Sequence, residues 1–335
     1  VLKEWVPGSH LLFERNPHYW AAGKPYLDRI VMRVITDPAA RAAAFEAGEI
    51  DLGASPVPLA DLERLRAAPN LVVDTTTYAY SGPQTQLFFN LDTEILRDLR
   101  VRQAVAHALD LKALLAAVYF GYGAVSPTPV SVVHPQFHDA SLGPVRFDPR
   151  RAEALLDEAG HRRGAGGSRF SLRLTLNPFL EGRYGDVIRQ ALTRIGITVE
   201  IHRLDLATYL TRVYRDRAFD LTIESLSNTF DPTIGVQRAY WSKNFKLGLP
   251  FSNAAHYADP EVDRLLEAAA VETDVARRRE LFVAFQRRIR ADLPAVDLIA
   301  PSGIIVAHRK VKNFAPGAEG LNGTFADLFI DPREA

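Results

Sequence analysis

The residues best suited to holding a small molecule fall between Phe219 and Tyr257. Phe219-Asp220-Leu221-Thr222-Ile223 alternates at period two and reads as a strand. It runs into Glu224-Ser225-Leu226-Ser227-Asn228-Thr229-Phe230-Asp231-Pro232, where the chain is expected to leave its sheet. In open α/β sheets, ligands occupy the crevice outside the carboxyl ends of strands. Ser225, Ser227, Asn228 and Thr229 would supply directional donors and acceptors there, and Tyr240, Trp241 and Phe245 apolar walls. The same segment reads equally as a helix start, with Asp231 as the cap, Pro232 in the first turn and the aromatics in the core.

Catalytic signatures are missing. The chain has no G-x-S-x-G elbow, no phosphate-binding G-x-x-x-x-G-K-[ST] loop and no H-E-x-x-H, and Gly121-Tyr122-Gly123 lacks the third glycine of a dinucleotide fingerprint. With no cysteine, thiol catalysis and disulfides are excluded. A hydrolase working through Asp231 or Glu224 with His202 or His256 is the rival reading, but no nucleophile and base stand at a recognisable spacing. His134 and His138 are four apart, as ligands on one helix face would be, yet Pro135 marks a loop. Neither a metal nor a cofactor is expected.

Charge narrows the partners. Lys and Arg number 40 and so do Asp and Glu, which removes the basic footprint of a nucleic-acid binder. Arg277-Arg278-Arg279 and Arg287-Arg288 interleave with apolar positions on a helix and read as its solvated face. No run of about 18 apolar residues occurs, so no membrane-spanning helix is expected. A pure interaction module would need a large apolar patch, and the helices show ordinary amphipathic faces.

The elements that would position the site follow from periodicity. At 335 residues, about two domains are expected. An opening hairpin and a strand at 28–35 precede a helix from Ala39 to Ala47, which Asp37-Pro38 starts and Gly48 ends. A short strand at 50–52, an amphipathic stretch from Leu59 to Ala67 and a strand at 71–74 follow. Residues 77–86 are turn-rich and uncharged, the pattern of a connection between two folded units. Val101, Ala104, Val105, Ala108 and Leu109 mark one core-facing helix, and Leu111, Leu114, Leu115, Val118 and Tyr119 a second. Between 171 and 227 strands and helices alternate, which predicts right-handed crossovers and a mainly parallel sheet. Helices at 260–272 and 274–293 and strands at 296–300 and 304–308 complete the chain.

Particular motifs also recur in order. They include Val1-Leu2-Lys3-Glu4-Trp5-Val6-Pro7-Gly8, Glu14-Arg15-Asn16-Pro17-His18-Tyr19-Trp20, Gly23-Lys24-Pro25-Tyr26-Leu27-Asp28 and Gly48-Glu49-Ile50-Asp51. Further along stand Phe89-Asn90, Arg100-Val101-Arg102-Gln103-Ala104, Val118-Tyr119-Phe120-Gly121, Phe219-Asp220-Leu221, Asp231-Pro232 and Tyr257 to Asp263. Together they resemble the family 5 solute-binding proteins of ABC importers, the extracytoplasmic dipeptide, oligopeptide and nickel receptors.

The resemblance implies an α/β, periplasmic binding protein-like fold (type II, cluster C-like) with mixed sheets covered by helices. It places residues 1–76 with 316–335 in a partial first domain and 77–315 in a large ligand-binding domain, with an N-terminal portion absent. It further implies capture of a small solute such as a peptide, an opine or another polar small molecule. Delivery would be to ABC permease subunits, by a protein that is monomeric when intact, in the periplasm or lipid-anchored at the outer surface. Peptide-binding members carry an acidic residue three positions before the acidic-Pro pair, where this chain has Asn228, and often Trp where it has Ser225. Both departures point away from an ordinary peptide.

Overall fold

A computed structural model describes residues 1–78, 81–229, 231–315, 317 and 319–334. In chain order the elements begin with β1 (Leu2–Val6), β2 (His10–Glu14), β3 (Arg29–Arg33), α1 (Pro38–Glu46), β4 (Leu52–Ala54), α2 (Leu62–Arg66) and β5 (Leu71–Asp74). Next come β6 (Pro83–Phe89), α3 (Glu94–Arg97), α4 (Leu99–Ala108), α5 (Leu111–Tyr119), β7 (Gly123–Val125), α6 (Pro149–Glu158), β8 (Phe170–Leu176), α7 (Arg183–Arg194) and β9 (Ile197–Arg203). The remainder comprises α8 (Leu206–Leu210) continuing into a π-helical turn (Thr211–Arg215), β10 (Leu221–Ser227), α9 (Pro232–Tyr240), α10 (Pro260–Val271), α11 (Val275–Asp292), β11 (Ala295–Pro301), β12 (Ile305–His308), β13 (Val311–Lys312) and β14 (Phe329–Ile330).

The chain divides into two units, Val1–Ala79 with Ser302–Ala335, and Tyr80–Pro301. The first holds an antiparallel meander, β1-β2-β3, and a second antiparallel sheet, β4-β12-β5. Helix α1 starts where Asp37 accepts the Ala40 N–H at 2.7 Å and Pro38 fills the first turn, and it buries Ala42, Ala44 and Phe45. Residues 302–315 were expected in the large domain. They belong to the first unit, because β12 inserts between β4 and β5 and spends its backbone hydrogen bonds there.

The second unit is built on a six-stranded sheet ordered β7-β11-β6-β10-β8-β9. Only β10, β8 and β9 run parallel, while β6 is antiparallel to both β10 and β11, so the sheet is mixed and not mainly parallel. The reason lies in β6. Its uncharged Pro-Gln-Thr-Gln start reads as a connection, yet Gln84, Thr85 and Gln86 are buried in the sheet centre. Each of these side chains has a partner: Gln84 donates to the Thr128 carbonyl at 3.0 Å, Thr85 lies 2.7 Å from the Tyr184 hydroxyl, and Gln86 donates to the Tyr240 hydroxyl at 2.7 Å. Pairing of this kind lets polar side chains occupy a buried strand.

Alternation along β6 sends Leu87 and Phe89 to one core and Phe88 to the other. The first core takes Val101, Ala104 and Val105 of α4, Leu114 of α5, Leu155 of α6, and Ile188 and Leu192 of α7. The second takes Val236 and Tyr240 of α9, Leu266 of α10, and Phe282 and Phe285 of α11. The result is a sheet covered by helices on both faces. Of the arginines in the two basic runs of α11, Arg277, Arg279, Arg287 and Arg288 are exposed, as their pattern implies, and Arg278 is half-buried. Arg278 pairs with Asp231, Arg279 donates to the carbonyls of Pro135 and Gln136, Arg287 pairs with Asp139 at 2.9 Å, and Arg288 pairs with Asp259 at 2.7 Å.

Candidate ligand-binding edge

One edge of the six-stranded sheet collects the carboxyl ends of β8, β10 and β11 and, because β6 and β7 are antiparallel to their neighbours, the starts of those two strands. Strand β10 does not stop at Ile223. It continues to Ser227, with Glu224 opposite Gln86 and Ser225 opposite Thr85. The loop begins only at Asn228.

Ser225, Ser227, Asn228 and Thr229 therefore stand together at the strand end. Ser225 and Ser227 are half-buried, and the Ser227 hydroxyl accepts from the Ser81 hydroxyl at 3.4 Å. Thr229 is also half-buried, at φ +47°, with its hydroxyl donating to the Asn228 carbonyl at 2.9 Å. Asn228 is buried, and its amide is already used. Its Oδ1 accepts the Ser131 N–H at 2.5 Å and its Nδ2 donates to the Pro129 carbonyl at 3.4 Å, tying the 129–131 segment to the strand end.

Of the three aromatics expected as walls, Phe245 stacks on His256, and Tyr240 and Trp241 pack against the second core. Tyr240 is 1% exposed, its ring against Phe88 and Phe285 and its hydroxyl bonded to Gln86, so it offers no surface to a ligand. Trp241 follows at the end of α9. It is half-buried against the second core, with its indole N–H donating to Glu267 at 2.9 Å. Both are held there because α9 points its apolar face into the core between β10, α10 and α11. Asp231 is the cap its position suggested: it accepts the Thr233 N–H at 2.9 Å while Arg278 donates to it at 2.8 Å. Burial works against its charge, but Arg278 and Thr233 prevail and hold the carboxyl below its ordinary range.

Sequence reasoning missed the network behind the edge. Glu224, 2% exposed, accepts from the hydroxyls of Tyr209 and Tyr214, the latter at 2.5 Å, and from Asn177 Nδ2 at 2.9 Å. Burial pushes its carboxyl up, and these three donors offset part of that effect. Asp297 on β11 is half-buried, 2.5 Å from Gln86 Nε2, and its carboxyl is pushed up to about 7, chiefly by desolvation. A glutamate inside an alternating apolar strand was the one visible signal. Its partners lie up to 47 residues away in sequence and had none.

Asn177 starts the β8–α7 loop, which carries Phe179, 71% exposed, and leads to Arg183, whose guanidinium lies 5.3 Å from the ring centre of the exposed Phe120. His138 Nδ1 sits 3.0 Å from the Val130 carbonyl, and burial pushes the His134 imidazole down. Among the described residues no group of three or more His, Cys, Asp or Glu is placed to hold a metal ion, and no helix is long and apolar enough to cross a membrane.

Comparison with known proteins agrees with this architecture. The chain belongs to the bacterial extracellular solute-binding proteins, family 5, whose middle-region profile matches residues 1–246. Among its relatives are the oligopeptide-binding protein AppA of Bacillus subtilis, 27% identical over 90% of this chain and 55% of its own length, and a dipeptide-binding protein of Pseudomonas aeruginosa, 25% identical over 96% and 57%. The chain thus spans little more than half of these relatives. NikA from Brucella suis, solved with Fe(III)-EDTA, superposes with a TM-score of 0.82 at 26% identity over 98% of this chain and 67% of its own. The periplasmic binding protein DppA of Helicobacter pylori, solved with the peptide STSA, gives 0.84 at 23% identity over 98% and 62%. The fold is that of the periplasmic binding proteins.

Proposed function

We propose that this chain forms the ligand-binding part of an extracytoplasmic receptor that captures a small polar solute and hands it to the permease of an ABC importer, in the periplasm or anchored at the outer surface. The observation that carries this reading is the cluster of half-buried hydroxyls of Ser225, Ser227 and Thr229 at a strand's carboxyl end, in a family of solute-binding proteins. The relatives named above are binding proteins, and binding without turnover is the activity assigned here. Asn228 acts by holding the strand end in place, with the three hydroxyls facing the solute.

The solute preferred on this reading is neutral and rich in hydroxyl or amide groups, or lacks a free α-amine. A desolvated ammonium requires a carboxylate partner. Glu224 is closed in by two tyrosines and Asn177, Asp231 is paired with Arg278, and Asn228 has only a neutral amide. The relatives named for dipeptides and oligopeptides supply the opposing expectation. A thermal-shift screen across dipeptides, their N-acetyl forms, opines and sugars, followed by calorimetry on the hits, separates the two. Tight binding of an unmodified dipeptide, lost in Glu224→Gln, would overturn the ligand class, and consumption of a solute over time would overturn the assignment as a receptor.

A further inference from the structure

The β8–α7 loop lies on the same edge as the Ser225, Ser227 and Thr229 hydroxyls, and a single buried group holds it. Asn177 is 5% exposed and works in two directions: its Oδ1 accepts the Phe179 N–H at 3.0 Å, inside the loop, and its Nδ2 donates to Glu224 Oε2 at 2.9 Å, inside the core. Glu224 is in turn fixed by the hydroxyls of Tyr209 on α8 and Tyr214 on the π-helical turn, and Tyr209 is itself 3.0 Å from Thr222 Oγ1. Both tyrosines are buried, and their rings meet edge to face at 6.3 Å between centres. We infer that Glu224 is a positioning residue: through Asn177 it fixes the loop 177–183, and with it Phe179 and Arg183, in the geometry that meets the solute. The inference rests on the assignment of this edge as the ligand face.

Three features make this the stronger role for Glu224 than direct contact. The carboxyl is enclosed, its partners Tyr209, Tyr214 and Asn177 are all donors, and the loop it reaches carries the exposed Phe179, at 71%, and leads to Arg183, which lies over the exposed Phe120 at the end of α5, at 45%. A buried polar network with its members satisfied holds one arrangement of the groups it joins. Sites are held in productive geometry by such supporting contacts behind the groups that touch the ligand. A glutamine at 224 keeps the arrangement, because its carbonyl accepts from Asn177 while its amide donates to the tyrosine oxygens. An alanine at 177 removes the tether and leaves the tyrosine bonds intact.

The test uses the full 335-residue chain and its Asn177→Ala and Glu224→Gln variants. Amide hydrogen exchange is followed over 178–183, and binding is measured for whichever member of a stated panel shifts the wild-type melting midpoint most: a dipeptide, its N-acetyl form, an opine, a disaccharide or a nickel–histidine complex. The expected result is exchange at least about tenfold faster in Asn177→Ala with a comparable loss of affinity, and both quantities near wild type in Glu224→Gln. Unchanged exchange in Asn177→Ala overturns the inference, whatever happens to binding. Loss of binding in Glu224→Gln with exchange unchanged also overturns it, since the charge would then act on the solute itself. If no panel member shifts the wild type, the receptor reading suffers, and the exchange measurement still decides whether Asn177 holds the loop.

Discussion

Asp231 and Asp297 show how differently two carboxylates of one unit are used. Asp231 caps α9 and pairs with Arg278, so Asp231→Ala is expected to cost about 0.5–2 kcal/mol of stability, the ordinary range for a cap, with solute affinity retained. Chemical denaturation alongside calorimetry checks both halves, and affinity lost at unchanged stability would assign the residue to the ligand instead. Asp297 has its carboxyl pushed up to about 7 by burial, beside Gln86, with Arg290 near enough to oppose that shift. A carboxyl raised in the folded state binds more protons there than in the unfolded chain, so its contribution falls as pH rises from about 4 to about 7. Asp297→Asn should therefore leave stability nearly unchanged at pH 4 and raise it at pH 8, by about 4 kcal/mol as an upper bound. Denaturation midpoints measured across that range decide it, and parallel profiles for the two proteins would refute the assignment.

At the scale of elements, the strand end is shaped by how closely α9 approaches it. A Cβ on Gly235 would lie 2.3 Å from the Ser227 carbonyl oxygen and 3.0 Å from Asn228 Nδ2, so only glycine lets the helix pack directly on the backbone of the candidate site. Gly235→Ala must push the helix or the strand end aside. A loss of about 1–3 kcal/mol is expected, the usual cost of overpacking, together with weakened solute binding, because the displaced atoms adjoin the Ser227 hydroxyl. Thermal denaturation and calorimetry on the same preparation test the coupling, and full affinity at reduced stability would show that α9 supports the fold without shaping the site. Gly82 marks the other side of the same edge: at φ +46°, a Cβ there would meet His134 Nε2 at 2.8 Å.

At the scale of the molecule, the two units have different surfaces. In the second, the six-stranded sheet has helices on both faces and two apolar cores. In the first, β1 is exposed along its whole length, with Leu2 at 52% and Trp5 at 66%, and β3 exposes Val31 at 54% and Met32 at 41%. An apolar edge strand with open backbone groups is a template for pairing with another chain. Concentration-dependent self-association of this 335-residue chain is expected in sedimentation velocity, reduced by Trp5→Lys. A monomer at every concentration tested would contradict it.

The sequence by itself determined the local elements. Helices α4 and α5 carry their apolar residues at helical spacing, and α1, α6, α9 and α10 begin at Asp-Pro pairs that bond the first-turn amides. Capping and periodicity act within a few residues, so they are legible along the chain. The hydroxyls of Ser225, Ser227 and Thr229 were visible for the same reason. Tertiary structure alone decided what β6 is, since polar Gln84, Thr85 and Gln86 become strand residues only when Thr128, Tyr184 and Tyr240 arrive to satisfy them. It also decided that Tyr240 turns inward, that β12 joins the first unit, and that Glu224 is closed off by Tyr209, Tyr214 and Asn177. Burial and long-range hydrogen bonding belong to neighbours in space, and a polar side chain's role is fixed by which of them reaches it first.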